Sequence, residues 1–306
     1  MIGQDTLLNF VGGQWEAASA AQTIPVRNPA TGDTLAAAPL SSSADVAKAV
    51  KAASHALQAW RRTPAGDRIQ PLFRLKALLD ANFSEIAKLV TQECGNTLAE
   101  SEGELKRGIE NVEVAAGIPS LMMGSNLEDI ASGIDGLMIR QPVGVVAVIT
   151  PFNFPGMIPL WFLPYAVACG NTVVLKPSEK TPLTMARILQ LAEQAGFPSG
   201  VINLVHGGKD AVDALLDHPE VRAISFVGST PVARYIYSRA AANGKRVQCQ
   251  GGAKNPVIIL PDADLEMTTK IVADSAFGCA GQRCLASSVA ITVGEAAIVA
   301  PGAVVS

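Results

Sequence analysis

The sequence predicts an α/β fold built on a mostly parallel sheet covered on both faces, and three observations predict it. Residues 142–178, PVGVVAVITPFNFPGMIPLWFLPYAVACGNTVVLKPS, read as an apolar strand, a proline-rich turn, a helix and a second apolar strand ending in Lys176. That is a βαβ unit. Two further apolar runs, VINLV at 201–205 and VRAISFV at 221–227, each follow a helix-length segment, 181–195 and 209–216, closed by Gly or Pro. Strands this apolar, alternating with helices, are enclosed on both sides as parallel strands are.

The other elements follow in chain order. Residues 44–60, 65–94 and 97–123 carry helical apolar spacing, with Ser41, Ser42 and Ser43 as N-cap candidates for the first. These helices would cover the sheet. Residues 125–141 alternate loosely and hold Gly133 and Gly136, the pattern of a protruding hairpin. Beyond the sheet, 256–260 and 288–293 read as strands that need neighbours on both edges. No internal repeat or low-complexity tract is present.

Composition excludes several functions. A net charge of −3 with 17% charged residues leaves no basic footprint for nucleic acid. Five cysteines, an odd number without CxxC pairs or a histidine cluster, exclude a disulfide framework and a zinc site, so no metal is expected. Residues 1–15 lack the basic and apolar regions of a signal peptide, and a cytoplasmic location is the expectation. The uncharged stretch before Lys176 is interrupted at Pro142, Pro151, Pro155, Pro159 and Pro164, too often for a lipid-spanning helix.

Chemistry concentrates at FGCAGQRCLA, residues 277–286, where a small-residue turn leads to Cys284. A thiol with a solution pKa near ~8.5 becomes nucleophilic when a cation such as Arg283 and the N-terminus of a helix favour its thiolate. Taken alone, the segment also fits an inert free cysteine in an apolar stretch. Cys279 reads as a packed neighbour, as do Cys94, Cys169 and Cys249. After the strand at 221–227, Gly228, Ser229, Thr230 and Pro231 open a helix whose N-terminus can receive a pyrophosphate, although no G-x-G-x-x-G is present.

The ordered blocks TPFNFP at 150–155, LKPSE at 175–179, FVGST at 226–230, GGAKNP at 251–256 and GQRCLA at 281–286 resemble the aldehyde dehydrogenase superfamily, from Phe10 to about Ala296. The resemblance implies a Rossmann-type NAD-binding domain over 1–250, with an oligomerisation hairpin at 125–141, and an incomplete catalytic α/β domain over 251–306. It implies NAD as cofactor, with Thr150, Phe152, Lys176, Glu179, Gly228 and Ser229 around it and Lys176 and Glu179 on the adenosine ribose. An acidic Glu179 suits the free ribose of NAD and opposes the phosphate of NADP. Cys284 is then the nucleophile and Asn153 an oxyanion donor together with the backbone N–H of Cys284. The family's assembly implies a homodimer or homotetramer.

One departure selects a branch. Hydrolytic members carry a glutamate at the head of Glu-Leu-Gly-Gly-Lys, whereas this chain has Gln250-Gly-Gly-Ala-Lys254. An amide cannot accept a proton, and loss of a positioned base typically costs ~10²- to 10⁴-fold in rate. With Arg283 directly before Cys284, this pattern is similar to the CoA-acylating methylmalonate-semialdehyde dehydrogenase branch, in which coenzyme A takes the acyl group. That branch also implies Arg107 as a second arginine, so that two guanidinium groups grip a malonate-type carboxylate. A hydrolytic enzyme with another base and a nucleotide-binding fragment without turnover stay open as alternatives. The apolar, unpatterned residues 297–306 depart from the family's charged continuation, and a C-terminal truncation is the expectation, with the region after Gln250 loosely held.

Overall fold

The computed structural model describes residues 6–294 and 296, and its centre is a seven-stranded sheet. Two short antiparallel hairpins come first, β1 (Asn9–Val11) with β2 (Gln14–Glu16), and β3 (Thr23–Arg27) with β4 (Thr34–Pro39). Helix α1 (Ser43–Trp60) starts at Ser42, whose hydroxyl accepts from Asp45 N while the Asp45 carboxylate accepts from Ser42 N, a reciprocal capping box.

The predicted 65–94 helix is three helices, α2 (Ala65–Arg68), α3 (Gln70–Ala81) and α4 (Phe83–Cys94). Pro71 in the first turn of α3 has no N–H to continue a helix from α2, and the Asn82 side chain bonds back to Leu78 O, breaking the chain again. The predicted 97–123 helix likewise ends early, as α5 (Leu98–Ala116) and, past Gly117, α6 (Ile118–Leu121). Residues 125–141 contain the expected antiparallel hairpin, β5 (Ser125–Ala131) with β6 (Ile134–Met138), and nearly all of it is exposed.

The βαβ core follows as read through β7 (Val145–Ile149), α7 (Met157–Ala168), β8 (Thr172–Lys176), α8 (Leu183–Gln194), β9 (Ile202–Leu204), α9 (Lys209–Asp217), β10 (Val221–Val227) and the start of α10 (Thr230–Ala242), and a strand the sequence did not mark, β11 (Arg246–Gln250), follows it. Sheet order is β11-β10-β7-β8-β9-β1-β2, parallel from β11 to β9 and closed by the antiparallel hairpin β1–β2. The sequence reading did not foresee that hairpin, because two three-residue strands carry too little alternation to register.

Every residue of β7 and β8 is buried. Their side chains alternate between two cores. Val146, Val148, Val173 and Leu175 pack with residues of α3, α5, α7 and α8, whereas Val145, Ala147, Ile149 and Val174 pack with α1, α9 and α10. Each fully enclosed aliphatic side chain contributes about 1.5–3 kcal/mol, which fixes the register of the sheet centre.

The chain divides at Gln250 into two compact units. The second holds β12 (Asn255–Ile259), α11 (Leu265–Phe277), a short 3₁₀ turn Gly278–Gly281, and β13 (Ser287–Thr292), with β12 and β13 pairing in parallel. Asp264 caps α11 by accepting from Met267 N at 2.7 Å. The expected truncation concerns 297–306, which lie outside the described residues. No helix among the described residues is long and apolar enough to cross a membrane.

His206, just beyond β9, is 1% exposed and neither ring nitrogen makes a hydrogen bond of good geometry. Burial above all, opposed by the Leu8 backbone and reinforced by the like charge of Lys176, pushes the imidazole down to about 4. A folded pKa below the unfolded ~6.5 means that the unfolded chain binds the proton first, so stability is lost as pH falls from about 6.5 through about 4. Urea unfolding should show wild type losing about 3 kcal/mol more than His206→Gln between pH 7.5 and pH 4. Parallel losses in the two proteins would contradict a neutral buried imidazole.

Candidate active site

The parallel strands β7 to β10 deliver their C-terminal ends to one rim of the sheet, and the order reverses at β7, with β8 on one side and β10 on the other. Ligands of open α/β sheets bind at such a reversal. A cleft of about 610 Å³ lies there, lined by Thr150, Phe152, Lys176, Glu179, Gly228 and Ser229 together with Val212, Tyr235 and Ile236. All six sequence-derived cofactor residues thus border one cavity.

Lys176 is 4% exposed, and its ammonium reaches Gly207 O at 2.8 Å and Glu179 Oε2 at 3.2 Å. Burial lowers the Lys176 pKa, and the Glu179 carboxylate beside it opposes that fall. Burial would raise Glu179, but the Lys176 charge and hydrogen bond, a backbone amide and the Lys180 charge together outweigh it and hold the carboxyl below its usual range. Two charged groups oriented by each other thus stand at the cleft wall.

The cleft also has groups that suit a dinucleotide. Thr150 Oγ1 is buried without a hydrogen-bond partner. Ser229 is the N-cap of α10, yet its hydroxyl makes no capping bond, so the side chain is not consumed by the helix it starts. Gly228 donates to Gln250 O at 3.0 Å, and a Cβ there would fall 2.4 Å from the Phe226 ring, so only glycine lets the chain turn this tightly over that ring. The residues present fit a bound dinucleotide with its pyrophosphate at the start of α10.

Asn153 lies in the loop between β7 and α7. The Phe152 carbonyl before it accepts from Thr181 Oγ1 and Cys94 Sγ, each at 3.2 Å. Lys180 Nζ stands 5.2 Å from the Phe152 ring centre. After it, the amides of Gly156 and Met157 donate to Glu104 Oε1 at 2.8 and 3.1 Å. Glu93 does the same for α8, accepting from Leu183 N at 2.8 Å and Thr184 N at 2.9 Å. Burial, only partly opposed by these amides, pushes Glu93 up to about 7 and Glu104 up to about 8. Arg107 sits on the exposed side of α5, one turn from Glu104.

In the second unit Cys284 is exposed, in the turn between the 3₁₀ segment and β13. The expected helix N-terminus is absent at Cys284, because the chain leaves the 3₁₀ turn directly for a strand. The Arg283 guanidinium lies over Gly278, where a Cβ would come within 2.7 Å of it, and Arg283 Nε donates to Cys279 Sγ at 3.2 Å. Cys279 is buried as its role of packed neighbour requires. The Asn255 side-chain amide donates to Cys284 O at 2.8 Å and Ala286 O at 3.0 Å, clamping the turn that carries the thiol. All five cysteines are free, and the described residues hold no cluster of potential metal ligands.

The profile of the aldehyde dehydrogenase family matches residues 15–297. The chain belongs to that family. It is 53% identical over 295 residues to malonate-semialdehyde dehydrogenase 2 of Geobacillus kaustophilus, covering 96% of this chain and 61% of that protein. Among solved structures it superposes with a TM-score of 0.96 on a Sinorhizobium meliloti protein assigned as methylmalonate-semialdehyde dehydrogenase and complexed with NAD, at 44% identity over 99% of this chain and 62% of that one. The methylmalonate-semialdehyde dehydrogenase of Oceanimonas doudoroffii gives 0.93 at 48% identity, covering 96% and 60%. The chain therefore spans about three fifths of the length of the relatives it matches.

Several residues that line the cleft or brace the candidate segments were not legible in the sequence. Val212, Tyr235 and Ile236 line the cleft from α9 and α10 with no motif to mark them, and Tyr235 is held by Asp213, which accepts from its hydroxyl at 2.7 Å. Glu93, Glu104 and Asn255 act through backbone bonds made by folding alone. Gly228→Ala should destabilise the chain by about 1–3 kcal/mol, since the buried Phe226 ring has to yield. A shift of the urea midpoint no larger than that of an exposed glycine replaced by alanine, such as Gly66, would show that the ring moves freely.

Proposed function

We propose that this chain is the nucleotide-binding part and the nucleophile segment of an NAD-dependent, CoA-acylating dehydrogenase of (methyl)malonate-semialdehyde-type substrates. The observation that carries the reading is the gathering of Thr150, Lys176, Glu179 and Gly228 around one cleft at three strand ends. The activities for which the relatives are named support the substrate class, and the NAD complex of the Sinorhizobium meliloti relative supports the cofactor.

Lys176 and Glu179 would hold the adenosine ribose hydroxyls, with the pyrophosphate at Gly228 and Ser229 and the dinucleotide passing Thr150 and Phe152. Bound NAD supplies the hydride acceptor. Cys284 as thiolate attacks the aldehyde carbon, and the oxygen that gains the charge takes hydrogen bonds from the Asn153 amide and the Cys284 backbone N–H. Arg107 and Arg283 grip the substrate carboxylate with paired bonds. The acyl group then remains on Cys284 as a thioester. Gln250 cannot accept a proton from water, so hydrolysis stays slow; the thiolate of coenzyme A attacks the acyl carbon, its new C–S bond forms, and the bond to Cys284 breaks to return the thiolate. The exposed apolar side chains Leu127, Ile130, Ile134 and Leu137 on the hairpin β5–β6 support a homodimer or homotetramer, and five free cysteines support a reducing, cytoplasmic setting.

Calorimetric titration of the chain tests the cofactor: NAD should bind at least about tenfold more tightly than NADP, because the Glu179 carboxylate repels a ribose phosphate. NADP binding as tight as NAD would refute the reading. Turnover is tested in protein of the relatives' full length. Cys284→Ala should abolish NADH formation, and wild type should require coenzyme A. Gln250→Glu should raise CoA-independent hydrolysis by about 10²-fold, and equal wild-type rates with and without coenzyme A would remove the acylating assignment.

A further inference from the structure

Helix α7 begins at Gly156 and has no side-chain cap of its own. A helix start leaves backbone N–H groups without intrahelical partners, and inside a protein they need an acceptor. Here the acceptor comes from a distant helix, through the single oxygen Glu104 Oε1 of α5. The carboxyl is 3% exposed, and its other oxygen, Oε2, has no hydrogen-bond partner. The approach of the two helices is tight: a Cβ at Gly108, one turn further along α5, would lie 3.0 Å from Leu160 Cδ1 and 3.2 Å from Met157 Cα. A Cβ at Gly156 would stand 3.4 Å from Glu104 Oε1 itself. The carboxyl is therefore held against the end of the β7–α7 loop with little freedom to move.

That loop is secured at two further points. Thr150 N donates to Lys176 O at 3.2 Å, which ties its start to β8, and the Phe152 carbonyl receives Thr181 Oγ1 and Cys94 Sγ in its middle. Asn153 lies between the Phe152 anchor and the Glu104 anchor. We propose that Glu104 is a positioning residue that fixes the loop carrying Thr150, Phe152 and Asn153 against the nucleotide cleft, which deepens the function proposed above and rests on it. Glu104 is not among the residues lining the cleft; it acts by holding Gly156 and Met157, and through them the end of the loop where it enters α7. A uniformly structural residue would set only how stable the unit is, whereas a positioning residue sets local order and ligand affinity together.

The test compares wild type, Glu104→Gln and Glu104→Ala by amide hydrogen exchange and by NAD titration of the chain. In Glu104→Ala, exchange across residues 150–157 should quicken by about tenfold, the central strands should keep wild-type protection, and NAD affinity should fall by about tenfold, the scale on which a displaced positioning group acts. Glu104→Gln keeps an acceptor oxygen at the same reach and should bring both values to within about threefold of wild type. Unchanged affinity in a folded Glu104→Ala, or faster exchange spread evenly over residues 6–250, would overturn the proposal. If Glu104→Ala does not fold, Thr181→Val decides: it removes one hydroxyl from the Phe152 carbonyl, so faster loop exchange with weaker NAD binding supports an anchored loop, and wild-type values for both overturn it. Absence of NAD binding by the wild-type chain would sink the cofactor assignment, while local exchange in the loop would still decide for or against the Glu104 anchor.

Discussion

Burial of β7 and β8 on both faces is the constraint on which the rest of this structure depends. A strand enclosed by two helical layers cannot present a reactive group along its length, since every side chain is committed to one core or the other. Reactive groups are displaced to the C-terminal ends, where the chain leaves the sheet and backbone groups become available. Thr150, Lys176 and Gly228 stand at three such ends. Reversal of strand order at β7 spreads the departing helices apart, and the gap between them is the cleft.

The same burial creates the need that Glu93 and Glu104 meet. Helices α7 and α8 start inside the protein at Gly156 and Pro182, residues without side-chain oxygen, so their first amides must find acceptors elsewhere. Helices α4 and α5 cross beneath these starts and supply one carboxyl each. An unpaired buried charge is costly, and for that reason both carboxyls titrate far above ordinary glutamate even while accepting two amides apiece. Lys176 and Glu179 solve the same problem differently. Each offsets the other's charge at the edge of the cavity, and both can stay ionised where a ligand would meet them.

The second unit is held together by fewer elements. Its two strands pair in parallel, an arrangement usually enclosed on both faces, yet Ile258, Leu260, Ile271, Phe277 and Leu285 are exposed. Its order comes from polar clamps instead: Asn255 on the backbone of the Cys284 turn, Ser275 with the Ser287 hydroxyl at 2.9 Å, and Arg283 on Cys279. Cys279 and Ala280 adopt left-handed backbone angles, with φ of 51° and 54°, in the tight turn that precedes the candidate nucleophile. Non-glycine residues pay for such angles with strain that the surrounding contacts must offset.

Local pattern was enough to read the central strands, the helices between them and the hairpin, because apolar runs of β length and helical spacing are properties of contiguous residues. It was also enough to mark Lys176, Glu179, Gly228 and Cys284, since each stands at a turn whose small or charged residues break that pattern. The family followed from the order of those turns. Other features were closed to it. The break of 65–94 into three helices depends on Pro71 and Asn82 outweighing a continuous apolar stripe, and the placement of β1 and β2 depends on β9 offering a free edge. Glu93 and Glu104 look in sequence like ordinary helix carboxylates. Only the crossing of α4 and α5 under two uncapped helix starts makes them acceptors, because a hydrogen bond between residues fifty to ninety positions apart is set by packing and leaves no trace in the neighbouring sequence.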